Sequence, residues 1–388
     1  MRYDRSMSED LFAAVDGMAQ GGDPARILDL LAAKFIEARN YPLLFETRLM
    51  KKRFESGLPL IQTESAAAFP EPARRDYEQA MVEAARETGS LFLDSGNIAR
   101  AWPYFRAIGE PDPVRKAIDG LTPSAAEEVI DPVIPIAFQE GVHPVKGLEL
   151  ILGRYGMCRA ITSFGMYPVS EGREECIHLL VSSLYSELAG NLARAIEAHE
   201  GRAPSTGTVG GLIAGRDWLF GEYDYYVDTS HLASVLQYLP GVTRRDTLLL
   251  AKELCDYGRR LSRQFQFAGQ APFEDPFIDY GMYVQALLGE DAEAALAHFR
   301  DKVLSSRPED VGPYPAETLV RLLVRLKHFE EAVDISLRCL AGYPESNCPN
   351  ALHLCHMAGD YARLRELARE RGDVLSYFAA VAAEAKVE

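Results

Sequence analysis

A helix-pair pattern in the last third of the chain constrains its fold most strongly. Residues 313–346 place small and apolar residues at helical spacing on both sides of a break at Lys327 and His328. These positions are Ala316, Leu319, Leu323, Phe329, Ala332, Ser336, Cys339, Leu340 and Pro344. Such spacing lets two short antiparallel helices pack, and the proline ends the second helix. A pair of this kind buries its apolar faces only by stacking on neighbouring pairs.

The same pattern recurs at three other places in the chain. Residues 82–115 place Gly89, Gly96, Ala101, Phe105, Ile108 and Pro113 at matching offsets. Residues 275–308 place the turn at Gly289 and residues 345–378 place it at Gly359. We expect Ala101 and Ala332 to be buried at helix–helix contacts, and Gly96 and Gly359 to adopt positive φ in tight turns.

These segments resemble tetratricopeptide (TPR) repeats, with the small residue, turn, aromatic and proline positions best met in 82–115 and 313–346. The resemblance implies an all-α, right-handed α-α superhelix that binds protein or peptide partners and is not an enzyme. Residues 120–272 carry no family motif. We therefore expect helical repeats over 1–120, an atypical central helical region over 121–272, and TPR-like repeats over 273–388.

Charge and hydropathy exclude several classes of partner. The formal net charge of −16 opposes binding to nucleic acid, which needs a basic stripe, and to anionic lipid. No stretch reaches the length of about 18 apolar residues that a membrane span needs, and residues 1–10 contain no apolar leader. We expect a soluble, cytoplasmic protein without a cofactor, whose six cysteines, none in a CxxC pair, are mostly reduced and buried.

An unusually dense run of aromatic and acidic residues lies at 218–231. Its candidate binding residues are Glu222, Tyr223, Asp224, Tyr225, Asp228 and His231. Tyrosine and tryptophan supply rigid contact area, and the acids would select a basic partner, so the run is interpreted as one wall of a binding groove. The alternative interpretation is a structural segment between two halves of the superhelix, with Asp228 serving as a helix N-cap.

A second hypothesis is a metal-dependent enzyme. His143, His178 and His231 with Asp228 would form a ligand set suited to zinc or iron if the fold brought them together. Each has a structural alternative: His143 could bond free backbone groups at a helix start, His178 could be a satisfied core residue, and Asp228 could cap a helix.

Helical periodicity dominates the chain and predicts helices that include 8–19, 41–56, 123–139, 145–163, 243–265 and 291–305. Capping residues mark helix starts at Ser8, Thr122 with Pro123, Ser170 and Thr243. The β-branched run 129–136 contains two prolines, so a central strand is not expected there.

Two further motifs favour structural interpretations. The glycine-rich run 205–215 follows a helix rather than a strand and lacks the lysine of a phosphate loop, so we expect a loop between helices. The cluster Cys348, His353, Cys355 and His356 is better explained by core packing than by zinc. The two cysteines share one helix face at core positions of the last repeat, and the two histidines fall largely on other faces. The protein-binding scaffold and the metal-dependent enzyme remain the two functional hypotheses.

Overall fold

The computed structural model describes residues 11–13, 15–16, 23–61, 66–167, 171–343 and 345–385. Across this part of the chain the regular structure is helical and no strand is present, so the predicted all-α class is confirmed. The β-branched run at 129–136 also lacks a strand, and its residues lie in a short helix and a π-helical turn. Prolines 132 and 135 explain this, because neither can donate to a strand ladder.

The chain forms two compact units. Unit 1 comprises residues 1–156 and 166–171, and unit 2 comprises residues 157–165 and 172–388. The division between the units falls inside 121–272, the segment expected to be an atypical central region. The assignment of repeats to 1–120 and 273–388 stays a prediction.

Residues 11–13 and 15–16 of unit 1 are helical, and its later described residues contain six helices and the first part of a seventh. They are α1 (Pro24–Glu37), α2 (Tyr41–Glu55), α3 (Ala73–Asp94), α4 (Ile98–Ala107), α5 (Asp112–Asp119), α6 (Glu127–Ile130) and α7 (Pro144–Gly165). A 3₁₀ turn (Ala66–Ala68) and a π-helical turn (Pro135–Gln139) also occur. Gly156 breaks α7 with φ 80° and ψ 179°, a conformation open to glycine, and the boundary of unit 1 falls there.

Unit 2 contains the remaining described helices. They are α8 (Arg173–Glu200), α9 (Val209–Ile213), α10 (Thr229–Leu236), α11 (Arg245–Arg260), α12 (Pro276–Leu288), α13 (Ala292–Ser305), α14 (Pro308–Val311), α15 (Tyr314–Arg325), α16 (Phe329–Cys339), α17 (Ala351–Ala358), α18 (Tyr361–Glu370) and α19 (Val374–Glu384). Short 3₁₀ turns lie at Asp217–Leu219, Leu239–Gly241 and Arg263–Phe265.

Helices that follow one another in the sequence pack against one another in both units. In unit 1, α1 packs on α2, α2 on α3, α3 on α4 and α4 on α5. In unit 2, contacts between neighbours run from α11 to α13, continue from α13 to α15, and run from α15 to α19. The helices of these two stretches therefore pack mainly against their neighbours in the chain.

The small and turn positions predicted from the repeat pattern are confirmed. Ala101 and Ala332 are both fully buried. Gly96 and Gly359 have φ of 76° and 71° and end the first helix of their pairs. In the pair α15–α16 the corresponding turn contains Lys327 at φ 65°, so a lysine adopts there the left-handed conformation that Gly96, Gly289 and Gly359 adopt in the other three pairs.

Two predicted helix starts are wrong, and others lie outside the described residues. Thr122 and Pro123 precede a turn, and the next helix begins only at Glu127. Thr243 is not the N-cap of α11; the Glu174 side chain of α8 accepts hydrogen bonds from the backbone N–H groups of Thr243 and Arg244 instead. Caps expected at Ser8 and Ser170, Pro344 of the repeat pattern and most of a helix expected over 8–19 fall outside the described part.

Candidate functional site

The aromatic and acidic run folds as a loop whose backbone is fixed by distant side chains of unit 2. We name residues 221–228 the acidic–aromatic loop. The N–H of Tyr226 donates to the hydroxyl of Tyr257 at 2.9 Å, and Asn191 Nδ2 donates to the carbonyl of Tyr226 at 2.6 Å. Gln264 donates to the carbonyl of Glu222, and Val227 is buried. These contacts hold the loop in one conformation.

The same loop presents its tyrosines to solvent. Tyr223 is 72% exposed and Tyr225 is 55% exposed, although tyrosine is large and mostly apolar. Glu222 and Asp224 are exposed beside them, and Asp224 accepts a hydrogen bond from the N–H of Gly221 at 3.2 Å. The loop therefore combines two aromatic surfaces with two carboxylates on a fixed backbone.

Asp228 and His231 lie where the loop enters α10. The Asp228 carboxylate caps this helix, accepting from the N–H of Ser230 at 2.8 Å, from the Ser230 hydroxyl at 2.6 Å and from the N–H of His231 at 3.4 Å. The Ser230 hydroxyl contributes most to a lowered pKa of Asp228, and it outweighs the opposing effect of burial. Asp228 thus has the capping role considered among the alternatives, while His231 is half-buried.

Sequence reasoning missed the aromatic residues that adjoin the loop from another part of unit 2. Phe265 packs against Tyr225 with ring centroids 5.0 Å apart, and Phe267, two residues further on, is 47% exposed. The helix expected over 243–265 placed Phe265 inside a regular helix. The available signal was the pair Phe265 and Phe267 at the end of that range, in a segment rich in glutamine.

The residues of the metal hypothesis do not form a metal site. His143 belongs to unit 1, where its Nε2 lies 2.6 Å from Asp119 Oδ1 and its Nδ1 accepts from the N–H of Lys146. His178 belongs to unit 2, where its Nδ1 lies 2.8 Å from the hydroxyl of Thr247. No group of three or more His, Cys, Asp or Glu residues that could hold a metal ion occurs among the residues searched, and these include His231 and Asp228.

The glycine-rich run contains a short helix whose amides are already occupied. In α9 the N–H of Gly210 donates to Glu253 Oε2 at 2.9 Å, and the N–H of Val209 donates to the hydroxyl of Tyr185 at 2.9 Å. Tyr185 donates in turn to Glu253 at 2.6 Å. Burial, aided by this carboxylate, raises the pKa of Tyr185 to about 12. The N–H groups of Val209 and Gly210 therefore already have partners within the protein.

A buried ionic network joins α12 and α13. Asp279, 1% exposed, lies 2.7 Å from His298 Nε2 and 3.0 Å from Lys302 Nζ, and accepts from the N–H of Asp275 at 2.9 Å. Lys302 also contacts Glu274. Both oxygens of the Asp279 carboxylate have partners within the protein. The network therefore serves as a structural link between α12 and α13.

Two cavities have no lining residue from the acidic–aromatic loop. One, of about 520 Å³ in unit 1, lies between α2 and α3; it has Arg48, Lys51 and Lys52 on one wall and Asp76, Glu83 and Glu87 on the other. The other, of about 460 Å³, is lined by α17, α18 and α19 and includes His353 and His356. In the first, Arg48 and Glu87 already form a bidentate ion pair. The prediction that the acidic–aromatic loop lines a groove stays a prediction.

Comparisons with known proteins return no relative for this chain. No family model matches it, and neither the curated proteins nor the solved structures contain a match. Over the described residues, no helix combines the length and apolar character required to cross a lipid bilayer.

Proposed function

We propose that this chain is a TPR-like helical-repeat scaffold, without enzymatic activity, that binds a basic peptide segment of a partner protein through the acidic–aromatic loop. The observation that carries the proposal is the exposure of Tyr223 and Tyr225 beside Glu222 and Asp224 on a fixed backbone. The packing of successive helices within α1–α5 and α11–α19 supports the repeat architecture, because a helical-repeat protein forms its core in this way.

Physical chemistry favours a basic partner at this loop. A tyrosine held in place loses little conformational entropy on binding, and its ring attracts lysine and arginine side chains. The neighbouring carboxylates attract the same cations and repel acidic segments. The net charge of −16 adds long-range attraction for a positively charged partner.

No observation in the described residues favours the alternative of a metal-dependent enzyme. His143 and His178 have partners within their own units, and Asp228 caps a helix.

Selection from a random peptide library tests the proposal. Peptides that bind the wild-type protein should be enriched in lysine and arginine. Synthetic copies of them, measured by fluorescence anisotropy, should bind the Tyr223→Ala/Tyr225→Ala variant at least about tenfold more weakly, which corresponds to a loss of roughly 1.4 kcal/mol. This variant keeps every charge and so separates the contribution of the tyrosines from general attraction to an acidic protein.

Tyr314→Ala is the matched control, because Tyr314 is 57% exposed and lies at the start of α15. It should bind the selected peptides as the wild type does. Peptides enriched in acidic residues, or equal binding by the double variant and the wild type, would contradict the assignment of the binding site to this loop.

A further inference from the structure

The cavity lined by α17, α18 and α19 has the size and composition of a small-molecule site. We name it the α17–α19 cavity. Its volume of about 460 Å³ falls within the range of roughly 300–1,000 Å³ that ligand pockets occupy. The helices α17 and α19 both pack on α18, so the three walls of the cavity belong to one packed part of unit 2. Such pockets combine apolar walls with a few polar groups that orient the ligand.

The apolar part of the lining comes from all three helices. Leu352 belongs to α17, Leu364 to α18, and Ala379 and Ala383 to α19. The two alanines lie four residues apart on one face of α19, and their small side chains leave the space between the helices open. A ligand with an apolar body would cover this surface and remove it from water, which favours binding.

The uncommitted polar groups of the lining are hydrogen-bond donors. The rings of His353 and His356 and the hydroxyl of Tyr361 have no hydrogen-bond partner within the part of the chain that the structure describes. The histidines lie three residues apart on α17, and the ring of His356 is 6.1 Å from that of Tyr361. Asn350 accepts from the N–H of His353 at 3.0 Å through its oxygen, which leaves its amide N–H groups to donate.

The charges around the cavity distinguish between classes of ligand. Asp373 is the carboxylate of the lining, and its two oxygens accept from the N–H and the hydroxyl of Ser376 at 3.0 and 2.7 Å. An amine would therefore find no uncommitted carboxylate in this wall. Residues 350–383 contain four arginines, no lysine and four carboxylates, so this part of an acidic chain is electrically neutral with neutral histidines and does not repel an anion.

We propose that the α17–α19 cavity binds a small molecule with an apolar body and one carboxylate. The carboxylate accepts hydrogen bonds from His353, His356 and Tyr361, and the apolar body covers the leucines and alanines of the lining. Each neutral imidazole donates one N–H and the phenol donates one O–H, which suits the acceptor-only oxygens of a carboxylate. The cavity shares no residue with the acidic–aromatic loop, so this site is independent of the proposed peptide binding.

Isothermal titration calorimetry with three probes of equal chain length tests the chemistry of the ligand. Decanoate, 1-decanol and decylamine share an apolar body and differ in the head group. Each is titrated below the concentration at which it aggregates. Decanoate should bind as one molecule per chain, and the alcohol and the amine should bind at least about tenfold more weakly, since neither carries an acceptor with a negative charge.

Variants of the lining test the location of the site. His353→Ala/His356→Ala should weaken decanoate binding at least about tenfold, because two donors to the carboxylate are lost. Ala379→Trp should abolish decanoate binding by filling the cavity, and Ala379 is exposed, so the indole does not overpack the core. Phe378→Ser is the matched control: Phe378 is 68% exposed on α19 and does not line the cavity, so this variant should bind decanoate as the wild type does.

Tyr361→Phe supplies a second test that keeps the shape of the cavity. It removes one hydroxyl, so it should weaken the binding of decanoate and leave that of 1-decanol nearly unchanged. Circular dichroism checks that each variant retains its helix. A wild type that does not bind decanoate, or that binds decylamine as tightly, would overturn the proposal. Binding that persists in folded Ala379→Trp, is lost in Phe378→Ser or is unchanged in Tyr361→Phe would also overturn it.

Discussion

Replacing Gly89 with alanine should destabilise unit 1, although alanine is the better helix former. Gly89 lies inside α3 and faces Phe105 of α4, the contact that the repeat pattern assigns to a small residue. A Cβ atom at Gly89 would lie 2.7 and 2.9 Å from two ring carbons of Phe105. Carbon atoms prefer separations of about 3.5–4.0 Å, so the ring would have to retreat by nearly 1 Å. Phe105 is fully buried in the core of unit 1, so its ring can retreat only by shifting its neighbours.

The expected size follows from two opposing contributions to the free energy of unfolding. Alanine in place of glycine in a helix stabilises by about 1 kcal/mol. Overpacking a buried site costs about 1–3 kcal/mol, and an enclosed ring places this site in the upper part of that range. We therefore expect a net loss of about 1–2 kcal/mol for Gly89→Ala.

Urea unfolding followed by circular dichroism measures this difference. Gly190→Ala is the control, because Gly190 lies in the interior of α8 and a Cβ there would have Arg194 Nη1 as its nearest neighbour, at 3.7 Å. It should gain up to about 1 kcal/mol. In a Phe105→Leu background, Gly89→Ala should lose its destabilising effect, a coupling that a double-mutant cycle quantifies. If Gly89→Ala stabilises the protein as Gly190→Ala does, the close contact between α3 and α4 is refuted.

Two further predictions concern unit 2. Asp279→Ala should destabilise it by about 2–4 kcal/mol, since His298 and Lys302 lose their buried partner. Removal of the exposed Asp334, which pairs with Arg363, should cost less than about 1 kcal/mol. If urea unfolding finds equal costs for the two variants, the structural role of the network is contradicted. Burial raises the pKa of Glu174, but hydrogen bonds from Thr243 and Arg244 outweigh it and lower the pKa overall from its ordinary value of 4.5. The folded state therefore gains stability from this carboxylate above that pH and loses it as pH falls through the lowered pKa. Urea unfolding over a range of pH should show that Glu174→Gln loses less stability on the acid side than the wild type. Parallel pH profiles of the two proteins would refute this.

Helix positions and turns could be predicted because they depend on neighbouring residues. The pattern predicted helices over 41–56, 145–163 and 291–305, and the structure has Tyr41–Glu55, Pro144–Gly165 and Ala292–Ser305. The left-handed turns at Gly96 and Gly359 and the burial of Ala101 and Ala332 followed from the same spacing. Predictions of helix starts were wrong at Thr122 and Thr243. At Thr243 the backbone N–H donates to Glu174, which lies 69 residues earlier in the chain, and α11 begins two residues later.

Only the amino-acid composition of the candidate site could be predicted from the sequence. The density of tyrosines and acids at 222–231 was visible in the sequence, but the contacts of Asn191, Tyr257 and Gln264 with the loop backbone join parts of the chain that no local pattern connects. The hydrogen-bond partners of His143 and His178 could not be predicted either, since Asp119 and Thr247 are distant from them in sequence.

The sequence by itself determined that this protein is all-α, where most of its helices lie and which small residues sit at their contacts, because helical periodicity and turn chemistry act over a few residues. Only the tertiary structure decided which apolar faces are buried. The spacing of Val374, Phe378 and Val381 is that of an ordinary core-facing helix, yet these side chains are exposed and Ala380 faces the core. Periodicity reveals that a helix has an apolar face, whereas the direction of that face depends on how the neighbouring helices pack around it.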